Sequence, residues 1–255
     1  MPTDRPNGSL YTKIQDRIAT VEFGHPASNS FVSELLQRLT DELYTLAENE
    51  EVSLIVLKSE GNRAFCAGAS FDELVAISNL EEGKAFFSGF ANVINAMRSC
   101  GKIIMGRVQG KTVGGGVGLA AACDYVYATE AASVKLSEVS IGIAPLVIAP
   151  AVERKIGKDG LAELSLHPTE WKNAYWAKEK GLFSKVYGSI EEMDKELEFH
   201  ALKLASFNPE ALAEMKRVLW EGTEHWKTLL LERAAASGKL ALSPNTKQAL
   251  EKFKK

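Results

Sequence analysis

The sequence has few of the residues that bind metal ions or form disulfide bonds. Its three cysteines, Cys66, Cys100 and Cys123, form no CxxC motif and have no histidine at zinc-site spacing. The four histidines are scattered, and no HExxH motif occurs. We therefore expect no metal centre. The small, odd number of cysteines predicts free thiols and a cytoplasmic protein.

Long apolar runs and basic clusters are also missing. No run approaches the roughly 20 apolar residues that a membrane span needs, and residues 1–8 lack the apolar stretch of a signal peptide. The formal net charge is -3, and the one basic cluster, residues 252–255, is typical of a solvated chain end. We expect neither a membrane nor a nucleic acid as a partner.

The distribution of apolar residues predicts an α/β fold. A chain of 255 residues with 45% hydrophobic and 25% charged residues is typical of a globular domain with a small appendage. Strands are predicted at 11–14, 18–23, 53–57, 102–108 and 125–128. Helices are predicted after a cap at Ser30, at 81–100 and 114–123, and then at 148–156, 160–166, 171–180, 190–205, 208–221 and 226–242, with a last one opened by Ser243-Pro244. Strands and helices alternate up to about residue 145, and helices dominate beyond it.

The densest signal is the glycine-rich segment 110–118, GKTVGGGVG, for which three functional interpretations compete. A P-loop would need one more residue between Gly106 and Gly110. A dinucleotide-binding fingerprint fits Gly116-x-Gly118-x-x-Ala121, but the next strand follows too soon for the usual crossover helix. Glycines that open a helix can instead form an oxyanion hole, because a ligand oxygen can approach their N–H groups closely. Close packing of the helix on a sheet would use the same glycines.

Three further segments favour the oxyanion hole. Residues 64–69, AFCAGA, precede the glycine-rich segment, which continues as LAAACD at 119–124. Ser137-Glu138-Val139 follows with Gly142 and Pro145, and an N-terminal block runs from His25-Pro26 to Phe31. Together these four blocks resemble the crotonase (enoyl-CoA hydratase/isomerase) superfamily in order and spacing over about residues 10–160. Within it, the sequence looks most similar to bacterial 3-methylglutaconyl-CoA hydratases.

The resemblance implies a spiral of ββα turns in residues 1–190 and a helical trimerisation region in residues 191–255. It assigns catalysis to three positions: the N–H groups of Ala69 and Gly115 would hold the thioester oxygen, and the Glu138 carboxylate would move protons. It assigns substrate binding to Ala67, Gly68, Ser70, Gly114, Gly118, Pro145 and Leu146. Many relatives carry a second glutamate where this chain has Gly118, and an aspartate where it has Ser70. Phe86, Phe87 and Phe90 are equally consistent with an acyl pocket and with plain core.

The implied function is hydration or dehydration of a branched or carboxylated enoyl-CoA, with coenzyme A as part of the substrate and no separate cofactor. An acyl-carrier-protein thioester could enter through the same phosphopantetheine arm. The missing second glutamate leaves two alternatives, a 3-enoyl to 2-enoyl-CoA isomerase and a catalytically silent partner protein. The resemblance also implies a homotrimer or a dimer of trimers. We expect Gly118 to leave free space beside the β carbon of the substrate.

Overall fold

A computed structural model describes residues 5–252, so residues 253–255 of the basic C-terminal cluster lie outside the described part. Within these residues, ten strands form two sheets. The large sheet has the strand order β1-β2-β3-β5-β7-β10, and the small sheet has the order β4-β6-β8-β9. The large sheet contains β1 Ser9–Gln15, β2 Ile18–Gly24, β3 Leu54–Ser59, β5 Ile103–Val108, β7 Tyr125–Thr129 and β10 Lys185–Tyr187. The small sheet contains β4 Ala64–Cys66, β6 Lys111–Val113, β8 Ser133–Lys135 and β9 Lys172–Asn173.

Ten α-helices surround these sheets in the described range. They are α1 Ser33–Glu48, α2 Phe71–Ala76, α3 Leu80–Ser99, α4 Gly115–Ala122, α5 Ala149–Leu166, α6 Ala174–Glu179, α7 Ile190–Ala205, α8 Pro209–Leu219, α9 Trp226–Ala241 and α10 Pro244–Glu251. No helix between residues 5 and 252 is long and apolar enough to cross a membrane. The same residues contain no cluster of three histidine, cysteine, aspartate or glutamate side chains that could hold a metal ion.

The chain builds a spiral in which a large-sheet strand leads directly to a small-sheet strand and then to a helix. The turns are β3-β4-α3, β5-β6-α4 and β7-β8-α5, with the short α2 inserted in the first. β3, β5 and β7 pair in parallel, as do β4, β6 and β8. β5 is buried along its whole length, as expected of a parallel strand covered on both faces. The predicted α/β spiral with a helical C-terminal part is confirmed. The division at residue 190 stays a prediction.

The N-terminal hairpin and most helices lie where the sequence predicts them. β1 and β2 are joined by Asp16 and Arg17, both with positive φ, as in the two-residue turns that match strand twist. The predicted helices 148–156 and 160–166 are one element, α5, interrupted at Gly157 with φ +71°. Residues 64–66 form β4, which the sequence does not predict, because a three-residue strand is too short to show a hydrophobic period.

The predicted cap at Ser30 is wrong. α1 begins at Ser33, and the carboxylate of Glu73 from α2 accepts hydrogen bonds from its N–H (2.9 Å) and its hydroxyl (2.7 Å). Ser30 instead lies 3.2 Å from the His25 ring. A side chain 40 residues away therefore satisfies the helix start, which local sequence could not indicate.

The last two described helices, α9 and α10, fold back onto α3 and the turn that follows β8, whereas α7 and α8 contact strands of the large sheet. α9 packs along α3, where a Cβ on Gly83 would lie 2.8 Å from the Cα of Gly238, so the two backbones touch. α10 then reaches the turn that follows β8. Leu250 of α10 joins a small apolar cluster with Phe86 and Ile143. The C-terminal part thereby closes one side of the site described next.

Candidate active site

Three parallel strands of the small sheet deliver three segments to one edge. Because β4, β6 and β8 are parallel neighbours, the residues that follow them meet at their carboxyl ends. β4 leads to the loop 67–70, β6 leads to the glycines that open α4, and β8 leads to Glu138. The blocks that stand out in the sequence therefore come together in space for a topological reason.

The loop 67–70 is fixed by the turn that ends at Phe31. The Phe31 N–H donates to the carbonyl of Gly68 (2.8 Å), and the carbonyl of Phe31 accepts from the N–H of Ser70 (2.7 Å). In such a parallel bridge the residue between the two partners, Ala69, turns its own N–H away from Phe31. Among the described residues, the Ala69 N–H has no hydrogen-bond acceptor.

The opening of α4 supplies a second N–H without an acceptor in the described chain. Gly114 has φ +53°, which favours glycine, and its N–H donates to the carbonyl of Lys135 (3.0 Å). Gly115 is the first helical residue, so its N–H points out of the helix without an intrahelical acceptor. A Cβ on Gly68 would lie 3.5 Å from this nitrogen, so the loop containing Ala69 lies against the helix start. The helix dipole favours negative charge at this end.

Glycine is required at these positions by close neighbours. A Cβ on Gly115 would overlap the ring of Phe90, and one on Gly116 would lie 2.7 Å from the carbonyl oxygen of Cys66. The three glycines thus fit both the packing interpretation and the oxyanion-hole interpretation of the sequence. They allow tight packing of α4 against its neighbours, and they leave an N–H group accessible at its start.

Glu138 opens a 3₁₀ turn, Glu138–Ile141, and its carboxyl group faces the glycines. A Cβ on Gly114 would lie 2.8 Å from Oε1 of Glu138. Oε2 is buried and has no hydrogen-bond partner among the described residues. Burial raises the pKa of Glu138 to about 7, because the charged form loses its water and a hydrogen bond from the residue's own backbone offsets only part of that loss. A carboxyl group with this pKa can both accept and donate a proton near neutral pH.

These groups line one cavity of about 190 Å³, which we call the Glu138 cavity. Its lining is apolar apart from backbone groups and the side chains of Ser137 and Glu138. The lining consists of Ala67, Gly68, Ala69, Phe71, Leu74, Phe86, Phe87, Phe90, Val113, Gly114, Gly115, Ser137, Glu138, Ile141, Ile143, Ala144, Pro145, Val147 and Ile148. A dry, apolar setting strengthens the pull of N–H groups on a developing charge.

Seven of the ten residues assigned from the sequence lie in this lining, and three do not. Ser70 caps α2, where its hydroxyl accepts a hydrogen bond from the N–H of Glu73 (3.3 Å). Leu146 lies beside a separate surface depression that Pro145 also borders, and its carbonyl accepts from Arg233 (3.2 Å). Gly118 lies behind Ile148, whose side chain a Cβ on Gly118 would overlap. The expectation of free space at Gly118 is therefore wrong, because Ile148 occupies it.

Several lining residues were missed by the sequence analysis. Ile148, Ile143 and Leu74 gave no signal, because single apolar residues in loops and helix starts do not differ from ordinary core. Phe86, Phe87 and Phe90 line the cavity and also pack in the apolar clusters of the protein, so both alternatives for them stay open. Their helical spacing on α3 was the only available sign.

The chain is similar to known proteins in sequence and in fold. The sequence profile of the family described as enoyl-CoA hydratase/isomerase matches residues 13–252. The chain is 30% identical over 194 residues to the peroxisomal Delta(3,5)-Delta(2,4)-dienoyl-CoA isomerase of Arabidopsis thaliana, covering 71% of this chain and 69% of that protein. It is 28% identical to the 2,3-dehydroadipyl-CoA hydratase of Escherichia coli, over 84% of this chain and 83% of that protein. The crystal structure of enoyl-CoA hydratase from Bacillus halodurans superposes with a TM-score of 0.87 at 19% identity, over 95% of this chain and 99% of that one.

Proposed function

Because the chain belongs to the enoyl-CoA hydratase/isomerase family, we propose that it is a hydratase of short, branched enoyl-CoA thioesters. Its Glu138 cavity would hold the acyl group. The observation that supports this most is the buried carboxyl of Glu138, with a pKa of about 7, beside two N–H groups that have no acceptor in the described part of the chain. Few structural roles call for a desolvated carboxyl group with one oxygen unpaired, whereas proton transfer does.

In the proposed reaction, the N–H groups of Ala69 and Gly115 donate to the thioester oxygen. Ionised Glu138 takes a proton from water as the water oxygen bonds to the β carbon, and the electron pair of the double bond moves toward the thioester oxygen. The resulting enolate is held by the two N–H donors. Glu138 then returns the proton to the α carbon. One carboxyl group thereby serves both proton transfers, which fits the absence of a second carboxylate from the cavity lining.

The lining supports an uncharged branch over a carboxylate on the acyl group. No lysine, arginine or histidine side chain lies among the described lining residues. A distal carboxylate would then be buried without a cation, at a cost of several kcal/mol. Glu138, when ionised, would add like-charge repulsion. A methyl branch instead gains from contact with Leu74, Ile143 and the phenylalanines.

A double-bond isomerase is the second candidate, and one observation favours it. Moving a proton between the α carbon and the γ carbon of the acyl group needs one acid/base and no bound water. Among the described lining residues, Glu138 has the one carboxyl group, and apart from Ser137 the other side chains are apolar. The similarity to a dienoyl-CoA isomerase is consistent with this alternative. The silent-partner alternative is less compatible with a desolvated Glu138.

The test is kcat/KM for four thioesters measured side by side on the purified enzyme. 3-Methylcrotonyl-CoA carries an uncharged branch, 3-methylglutaconyl-CoA adds a carboxylate, crotonyl-CoA has neither, and a 3-enoyl-CoA reports isomerisation. We expect 3-methylcrotonyl-CoA to be hydrated best. Preference for 3-methylglutaconyl-CoA would restore the carboxylated substrate that the sequence resemblance implies, and a preference for the 3-enoyl substrate would establish the isomerase.

Glu138→Gln links the reaction to the site. It should lose about 10²–10⁴-fold in kcat while still binding acyl-CoA, since general acid–base catalysis by one group contributes about that much. Glu50→Gln, an exposed glutamate outside the cavity lining, is the matched control and should keep full activity. If none of the four thioesters reacts, the silent-partner alternative replaces the proposal.

A further inference from the structure

Ile148 separates helix α4 from the Glu138 cavity at the position of Gly118. One side of Ile148 lines the cavity. The other side contacts Gly118, where a Cβ would lie 2.7 Å from the Cβ of Ile148 and overlap its side chain further out. Gly118 therefore forms a notch in the helix, and Ile148 fills that notch.

Helix α4, which lies behind Ile148, is packed too tightly to move away from the cavity. α4 is fully buried from Gly116 to Ala122, and a Cβ on Gly118 would also contact Ile94 of α3 (3.7 Å). Interiors packed at this density resist displacement. Ile148 is β-branched, and its χ1 angle is therefore restricted. The position of this wall is thus fixed by two residues, a glycine that allows the side chain to recede and an isoleucine that fills the space.

The other cavity walls have different constraints. The loop 67–69 and Gly115 carry the N–H groups, and Phe90 packs against both Gly115 and Phe31, with ring centroids 5.9 Å apart between the two phenylalanines. Changes there would disturb the reacting groups. The N–H of Gly118 donates to the carbonyl of Gly114 (3.2 Å), but this backbone bond does not depend on the side chain of Ile148.

We propose that Ile148 and Gly118 together set the depth of the acyl cavity and thereby restrict the enzyme to short acyl groups. Ile148 is the specificity-determining residue, and Gly118 is a positioning residue that acts through it. The inference rests on the proposed function in one respect, namely that the acyl group occupies the Glu138 cavity.

The test measures binding, so that it does not depend on turnover. Dissociation constants of butyryl-, hexanoyl- and octanoyl-CoA are measured by calorimetry for the wild type, Ile148→Ala, Gly118→Ala and the double variant. Ile148→Ala should shift the octanoyl-to-butyryl affinity ratio about tenfold or more toward octanoyl-CoA, since a pocket distinguishes one methylene by roughly that factor. Gly118→Ala pushes Ile148 into the cavity and should shift the ratio the opposite way. The double variant should return toward the wild-type ratio.

A second glycine–isoleucine contact provides a matched control. In α5, a Cβ on Gly160 would lie 2.9 Å from Cγ1 of Ile156, and neither residue lines the Glu138 cavity. Gly160→Ala and Ile156→Ala should alter thermal stability and leave the affinity ratio unchanged. If they shift the ratio as much as the Gly118 and Ile148 variants do, the effect is general packing and the inference is overturned.

The outcomes separate the inference from the proposed function. If the affinity depends on acyl-chain length and Ile148→Ala changes this dependence, but no enoyl-CoA is turned over, the inference is supported and the proposed hydratase activity is refuted. Turnover with an affinity ratio unchanged in folded Ile148→Ala overturns the inference alone. If Gly118→Ala does not fold, Ile148→Val replaces it and should give a smaller shift toward longer chains than Ile148→Ala. An absence of binding by every chain length overturns both.

Discussion

Thr246 of the last helix donates a hydrogen bond of 2.7 Å to the carbonyl of Gly142, the residue that ends the turn carrying Glu138. Thr246 is fully buried, and a Cβ on Gly142 would lie 2.7 Å from its hydroxyl oxygen. Gly142 has φ +84°, a conformation that favours glycine. α10 thus positions the turn that carries Glu138, the proposed acid/base, through a hydrogen bond between residues that are 104 positions apart in the sequence.

This link predicts that Thr246→Val impairs catalysis without removing any group from the cavity. Valine keeps the shape of threonine but leaves the Gly142 carbonyl buried and unpaired, which should cost about 1–3 kcal/mol of stability. Looser placement of Glu138 should lower kcat about tenfold or more, with KM less affected, since catalysis is sensitive to small displacements. Thr246→Ser keeps the hydroxyl and should restore kcat. If both variants are equally impaired, the hydrogen bond is not what positions the turn.

The raised pKa of Glu138 predicts how activity depends on pH. Hydration in the proposed direction begins with ionised Glu138, so kcat/KM should rise with pH and level off above about 7. Glu138→Gln should remove this dependence from the residual activity. A pH profile with its midpoint near 4.5 would mean that the carboxyl is hydrated in solution.

The same pKa predicts an opposite effect on stability. Folding raises the pKa of Glu138 from 4.5 to about 7, so the protonated form is favoured in the folded state. Its contribution is fully present below about pH 4.5 and is lost as the pH rises through about 7. The free energy of unfolding of Glu138→Gln should therefore match that of the wild type near pH 4.5. At pH 8 it should be larger by up to about 3 kcal/mol, and by less where solvent screens the carboxyl group. Thermal unfolding at both pH values, with Glu50→Gln as control, measures the difference.

The site residues that the sequence could predict come from the family resemblance, and the structure places them after strands of the small sheet. Ala67, Gly114 and Glu138 come after β4, β6 and β8, and parallel pairing brings such residues together whatever the details of packing. The contacts between distant residues could not be predicted. Ile148 fills the space at Gly118, and Thr246 supports Gly142, through packing that neither local propensity nor spacing encodes. The oxyanion roles, the carrier of the acyl group and the cytoplasmic location stay predictions.

Gly115→Val tests the proposed N–H donor. The structure directs a Cβ on Gly115 into the ring of Phe90, so the variant should displace the ring and shift the start of α4. We expect a loss of at least about a hundredfold in kcat, as for removal of one oxyanion donor. Gly188→Val, at an exposed position where a Cβ would come no closer than 3.7 Å to a neighbouring atom, should retain activity. Near-native turnover by folded Gly115→Val would refute the assignment.

Helix α8 directs a lysine into the core and three apolar side chains to the surface. Lys216 is buried against Asp124, with Nζ and Oδ2 2.7 Å apart, whereas Met215, Val218 and Leu219 are 51%, 47% and 43% exposed. A buried ion pair adds little stability of its own. The exposed apolar side chains on the outer face of α8 indicate that another protein surface covers this face. We propose that the covering surface belongs to further copies of this chain, in the trimer or dimer of trimers that the sequence resemblance implies.

Light scattering at micromolar concentration should therefore give three or six times the 27.8 kDa chain mass. Val218→Glu places a charge on the covered face and should shift the assembly toward monomers, because an unpaired charge in an interface is costly. Lys195→Glu, on the exposed side of α7, should leave the assembly intact. A monomeric wild type would rule out the assembly. A trimer insensitive to Val218→Glu would place the interface elsewhere on the chain.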